Sequence, residues 1–197
     1  MEPVERVRSL FVDSIEAQSE AASTLAVPIT QAADLMARAL LADHRIFSCG
    51  NGASAALAQH FSACMLNRFE QERPGLPAIA LTSDTATLTA IGNDYQFADI
   101  FAKQIRALGQ PGDILLALTT SGNSHNLVQA VDAAHDRQIE CVLISGRDGG
   151  HVAGLLQNPD IEIRVASWTS ARILEVHMVV LHAICDLIDR RLLGQED

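Results

Sequence analysis

The sequence predicts an α/β fold, a three-layer α/β/α sandwich around a parallel sheet, and three observations lead there. Short apolar runs of strand length alternate with segments of helical periodicity through the middle of the chain, the order that a parallel sheet with crossover helices requires. Two of the strand-to-helix junctions are rich in glycine and hydroxyls. Hydrophobic residues make up 48% of the 197 and aromatics only 4%, so the core is expected to be aliphatic and the helices closely packed.

In chain order, Val4, Val7, Phe11 and Ile15 recur at helical spacing within residues 1–25, and Ala32, Leu35, Met36 and Leu40 repeat the pattern within residues 29–41. Two N-terminal helices therefore precede the first strand. The first carries an apolar stripe with nothing yet to cover it, and packing on its own chain or on another subunit are both open. Residues 45–49 read as a strand, and Gly50, Asn51, Gly52, Ala53 and Ser54 turn the chain into a helix that runs to about residue 69. The second strand is 77–82. Residues 84–94 read as a loop with a short helix, and 97–108 as a helix broken by Gly109, Gln110, Pro111 and Gly112. Strands follow at 113–118 and 140–145, with a helix at 124–137 between them. After Gly149 and Gly150 a short helix ends near residue 156, a last strand covers 161–165, and one long C-terminal helix spans 170–192. No repeat, low-complexity stretch or linker interrupts this order, which reads as one domain over 1–197.

Charge narrows the function classes. Lysine and arginine total 14 against 24 acidic residues, a formal net charge of -10, which argues against a direct grip on nucleic acid because backbone phosphates are bound by clustered cations. Cys49, Cys64, Cys141 and Cys185 lie far apart without a CxxC pair, and no basic stretch leading into an apolar run opens the chain, so a cytoplasmic protein with reduced thiols is expected. No apolar stretch reaches about 18 residues, so no membrane span is expected.

Thr119, Thr120, Ser121, Gly122, Asn123 and Ser124 place hydroxyls, a glycine and free helix N–H groups at one turn, an anion site by construction. With no lysine or arginine in it, the turn would hold the anion by neutral hydrogen bonds, which suits a sugar phosphate. The same hydroxyls would also serve as a plain helix cap. Gly50, Gly52 and Ala55 fit the dinucleotide fingerprint, but the acidic ribose partner is weak, Asp84 lying two residues past Thr82. One ligand touching both turns on the same sheet edge is the more economical account.

The runs SCGNGASAALAQHF, NRFEQERPGLPAIALT, TAIGNDYQF, TTSGNS, GRDGG and SARILEVHMVVLH resemble the sugar isomerase (SIS) domain family, in particular the branch holding phosphoheptose isomerases and the DiaA protein. The resemblance covers essentially the whole chain. It implies a five-stranded parallel sheet, a homotetramer and a phosphosugar site between subunits. On this resemblance Ser54, Thr119, Thr120, Ser121 and Ser124 match phosphate ligands, while Asn51, Gly52, Ala53, Asn93 and Asp94 match positions lining the sugar. In phosphoheptose isomerases it further implies a glutamate base four residues after the helix histidine, and zinc held by histidines, that glutamate and a glutamine. Here the histidines are His60 and His182, the glutamate position is Cys64, the glutamine position is Leu174, and a neighbouring position that often carries a carboxylate is Ala63.

His60 and Cys64 share a helix face at i, i+4, and with His182 they would offer a soft tetrahedral site for zinc with one position open. The competing reading makes Cys64 a small buried apolar residue. Cys64 and His182 are the residues left to manage a proton, provided the thiol pKa is lowered. Glu175 lies two turns before His182 and either orients that ring or pairs with Arg172. His177 shares that helix, His125 follows the hydroxyl turn, and Trp168 covers the cleft or packs. Leu192 and Leu193, flanked by Arg190, Arg191 and Gln195, form a partner contact or a packed helix tail. Because Cys64 and Leu174 leave the isomerase set incomplete, the sequence is read as a DiaA-like phosphosugar binder that partners DnaA in replication initiation, with isomerase activity impaired or lost. The alternative is a phosphoheptose isomerase converting sedoheptulose 7-phosphate to D-glycero-D-manno-heptose 7-phosphate.

Overall fold

The computed structural model describes residues 1–194. Its centre is a five-stranded parallel sheet in the order β2-β1-β3-β4-β5, formed by β1 (Ile46–Gly50), β2 (Ala78–Ala80), β3 (Ile114–Leu118), β4 (Glu140–Gly146) and β5 (Ile161–Val165). Strand residues alternate between two apolar layers, as the period of two demands. Ile46, Ile114, Leu116, Leu118, Val142 and Ile144 face one layer; Phe47, Leu115, Ala117, Cys141 and Leu143 face the other. The first layer is covered by α1 (Pro3–Leu41), α2 (Ala53–Leu66) and α7 (Ser170–Leu193). The second is covered by α3 (Thr85–Asp94), a 3-10 turn at Phe97–Asp99, α4 (Ala102–Leu108), α5 (His125–Asp136) and α6 (Gly150–Ala153). This is the expected three-layer sandwich, with the long closing helix in place. No helix among the described residues is long and apolar enough to cross a membrane.

Two elements differ from expectation. The two N-terminal helices are one continuous helix of 39 residues that passes through Pro28. Proline removes one rung of the backbone ladder, and the burial of Leu25, Ala32 and Ala33 on either side outweighs that loss. Its first half remains uncovered, with Val4, Val7, Phe11 and Ile15 exposed. The 84–94 segment, expected as a loop with a short helix, is helical almost throughout because Asp84 caps it, accepting from Thr87 N at 3.0 Å.

One buried cation ties the first layer together. Arg73 donates to the carbonyls of Met65 (2.9 Å) and Cys64 (3.0 Å), two of the acceptors that the end of α2 leaves open, and to Asp189 Oδ1 on α7 at 2.5 Å. Its side chain and that of Asp189 are 2% and 4% exposed. A buried pair of this kind gives modest net stability but is costly to break from one side. Arg73→Ala is therefore expected to lower unfolding free energy by about 3–5 kcal/mol, measured as a shift in the urea midpoint; a change below about 1 kcal/mol, the range of an exposed pair, would remove this role.

Candidate active site

Parallel sheets bind ligands where successive connections leave in opposite directions. Here that point lies between β1 and β3: the chain leaves β1 toward β2 on one side and later returns to place β3 on the other. Gly50 pairs with Leu118 at the ends of these strands, so Asn51 and Thr119 begin adjacent turns. The turn after β1 enters α2 on one face, and the turn after β3 enters α5 on the other. Gly52, with φ +55° and ψ −120°, occupies a conformation closed to other residues and has open space where a side chain would stand.

The 119–124 turn is braced from within and from beside. Thr119 is buried, and its Oγ1 accepts from Gly122 N at 3.0 Å and Ser121 N at 3.3 Å. Asn123 Oδ1 accepts from His151 N, and Gly122 O accepts from Val152 N, which fasten the turn to the start of α6. Gly122 has φ +67°, and a Cβ there would meet Gly149 O at 1.8 Å. Ser124 occupies the N-cap position of α5 without a side-chain capping bond, and no hydrogen bond from the Ser54, Thr120 or Ser124 hydroxyl is found among the described residues. These hydroxyls are not spent as helix caps. They remain available to donate to an anion.

Asn51 and Asn126 form a reciprocal amide pair, Nδ2 to Oδ1 at 2.9 Å one way and 2.8 Å the other. Asn126 was not singled out in the sequence; 75 residues separate the partners, and no local pattern marks such a pair. Ala53 is exposed beside Gly52 at the start of α2. Asn93 and Asp94, at the end of α3, are exposed and hydrogen-bonded to each other at 2.8 Å.

From the first turn a groove of about 560 Å³ runs between α2 and α7, lined by Ala53, Ala56, Leu57, Leu174, Glu175 and Met178. One helical turn further along each wall stand His60 and His182. Their Nε2 atoms face each other at 2.9 Å, with Phe69 beside the His182 ring. Burial, and then His182, lower the pKa of His60, so it is neutral near pH 7. Cys64 Sγ lies 3.7 Å from His60 Nε2, as the i, i+4 spacing predicts, but burial raises its pKa and keeps it a thiol.

Zinc requires three or four donors aimed at one point. The two facing nitrogens are bonded to each other, Leu174 offers no donor, and His60, Cys64 and His182 are not a set in which every donor lies within 4.8 Å of the others. One chain's residues do not fit zinc here. Among the described residues the donor group that meets that spacing is His135, Cys141 and Asp160, at the opposite edge of the sheet. There Asp160 already accepts from Cys141 N, Gln157 N and His135.

The other residues singled out are placed as follows. Glu175 pairs with Arg172 at 2.5 Å. His177 is fully buried, donates to Ser145 O at 3.0 Å, and burial pushes its pKa down to about 4. His125 is exposed at the start of α5. Trp168 is 72% exposed, with the Arg147 guanidinium 5.9 Å from its ring. Asp84 is engaged as the cap of α3, away from any ribose role. Leu192 packs on the core and Leu193 is 40% exposed; Gln195 lies outside the described residues.

Comparison with known proteins adds the following. The SIS domain family matches residues 10–146. A phosphoheptose isomerase of Halorhodospira halophila is 58% identical over 194 residues, 98% of each chain, and one of Shewanella loihica is 55% identical over the same length and coverage. The solved structure of phosphoheptose isomerase GmhA from Neisseria gonorrhoeae superposes with a TM-score of 0.89 at 49% identity, covering 94% of this chain and 97% of that one. These findings overturn the reading as a DiaA-like regulator of replication initiation with isomerase activity impaired or lost and favour the phosphoheptose isomerase alternative, and they lend no support to a DnaA partner. The substitutions at Cys64 and Leu174 weighed too heavily in that reading, against likeness that runs the whole length of the chain.

Gly122 is the position where the site tolerates least. Gly122→Ala adds a carbon where only 1.8 Å is free and strains a left-handed residue. It is expected to abolish phosphosugar binding in calorimetry while circular dichroism still shows an α/β fold; parent-like affinity would show that the two turns do not need this contact.

Proposed function

The chain belongs to the SIS-domain family, in its phosphoheptose isomerase branch, and from that premise we propose that it is a phosphoheptose isomerase acting on sedoheptulose 7-phosphate to form D-glycero-D-manno-heptose 7-phosphate. The observation that carries the proposal is identity running the full length of chains named for that activity. The geometry supports it: two hydroxyl-bearing turns at the switch point to hold the phosphate end, an apolar groove between α2 and α7 that starts at Ala53, and a pair of facing imidazoles one helical turn beyond its lining.

Ketose-to-aldose conversion removes a proton from C1, passes through an enediolate, and returns a proton to C2 while a hydroxyl proton moves from O1 to O2. A base at carbon and a hydrogen-bond donor at oxygen are needed. The histidine pair provides both from a single shared proton. With one hydrogen between the facing atoms, one Nε2 carries it and the other presents a lone pair. A substrate that separates them meets a base on one side, which takes the proton from C1 and later returns it to C2, and an N–H on the other, which gives its proton to O2 as the enediol forms and regains one from O1 as the aldehyde forms. Which ring takes which part is fixed by the tautomer. Cys64, held as a thiol, packs beside His60 instead of acting as a base.

Assembly belongs to the same proposal. The resemblance implies a homotetramer, and the uncovered stripe of Val4, Val7, Phe11 and Ile15 supports packing of α1 on another subunit. Light scattering should give a tetrameric mass that falls in a Val7→Glu, Phe11→Glu variant; a monomeric parent would remove this part.

Activity is tested by incubation with sedoheptulose 7-phosphate, with the aldose product followed by NMR. His60→Gln and His182→Gln should each lower kcat/KM by about 10²–10⁴-fold, whereas Cys64→Ala should stay close to the parent. Because burial lowers the pKa of His60, its neutral form persists as pH falls past the ordinary histidine value, and the loss of kcat/KM that comes from protonating His60 should appear only below that value. No product from the parent defeats the proposal.

A further inference from the structure

Folding alone leaves the Asn51–Asn126 pair unexplained. Asn126 is 2% exposed on the first turn of α5, and Asn51 is half-buried directly after β1. Among the described residues, theirs are the side-chain hydrogen bonds that join the first turn to the start of α5, the helix that the 119–124 turn enters. They cross the sheet edge from a helix on one face to the entry of a helix on the other. Two amides bonded head to tail also fix each other's orientation, since turning either over would set oxygen against oxygen and nitrogen against nitrogen. Each keeps one N–H unspent.

We propose that Asn126 is a positioning residue for the phosphosugar site: through the reciprocal pair it holds the Asn51 amide and the first turn in the binding orientation before the ligand arrives. The inference rests on the phosphosugar reading above. Its physical content is preorganisation. The side-chain freedom that Asn51 would lose on binding is already removed in the free protein, and the first turn is held against the start of the helix that follows the second.

Asn126→Asp separates this role from a purely structural one. An ionised carboxylate accepts from Asn51 Nδ2 but sets its second oxygen against Asn51 Oδ1. The protonated acid donates its O–H to that oxygen and rebuilds both bonds. Calorimetric titration with sedoheptulose 7-phosphate is made on the parent, Asn126→Asp and Asn126→Leu between about pH 7.5 and about pH 4.5, a range that approaches the ordinary aspartate value. At the upper pH both variants should bind about tenfold more weakly than the parent, the loss expected for one to two hydrogen bonds. As pH falls, the Asp variant's ratio to the parent should shrink toward one while the Leu variant's stays constant; dividing by the parent removes the titration of the phosphate itself. Variants that match the parent within about twofold, below the worth of a single hydrogen bond, overturn the inference, and so does a loss in Asn126→Asp that does not recover at low pH. A parent that fails to bind defeats the phosphosugar reading and the inference with it, so the parent titration tells the two failures apart. Should circular dichroism show that Asn126→Asp does not fold, Asn51→Asp makes the same acid-amide exchange from the other side.

Discussion

The 119–124 turn lies backbone to backbone on the 146–150 turn, with no space between them for one added carbon atom. A Cβ on Gly122 would strike Gly149 O, and one on Gly150 would lie 2.6 Å from Ser121 O. Adjacent strands of a sheet already fix their ends about 4.8 Å apart, and this contact extends the constraint beyond the strands into the connections. The result is a rigid donor surface in which the 119–124 turn carries no lysine or arginine, while the turn it leans on contains Arg147. In a chain of net charge -10, the 119–124 turn itself can offer an anion only the direction of its N–H and O–H groups.

Rigidity at the phosphate end is matched by a second anchor at the reacting end. Arg73 closes the last turn of α2 and ties it to Asp189 on α7, the two helices that carry His60 and His182. The facing imidazoles therefore sit on walls that cannot slide without uncovering a buried charge. His177, on the same helix and hydrogen-bonded to Ser145 O, locks α7 to the end of β4, from which the bracing turn departs. Both ends of the groove thus lean on α7.

Much of this was legible in the residues. The apolar runs of the five strands, the glycine and hydroxyl turns, and the shared face of His60 and Cys64 follow from local periodicity, and the structure places them accordingly. Residues 1–25 and 29–41 read as two helices, yet burial on either side of Pro28 carries α1 through as one. The helix over Thr85–Asp94 depends on one capping carboxylate in a stretch of poor helix formers. The Asn51–Asn126 pair depends on topology, which local spacing does not encode. Cys64 and Leu174 were weighed as losses from a known set, whereas the proposed proton transfer needs only a base and a donor in reach, which His60 and His182 would supply.

Cys64 carries one more consequence. Cys49, Cys141 and Cys185 are sealed in the core, so Cys64 is the half-buried thiol among the four. Among the four thiols it is the one a small thiol reagent can reach in the native protein, 3.7 Å from the imidazole of His60, with its raised pKa slowing the reaction. A reporter attached to that sulfur would sit beside the histidine pair, beyond the groove lining between α2 and α7, and would sense whatever parts those two rings.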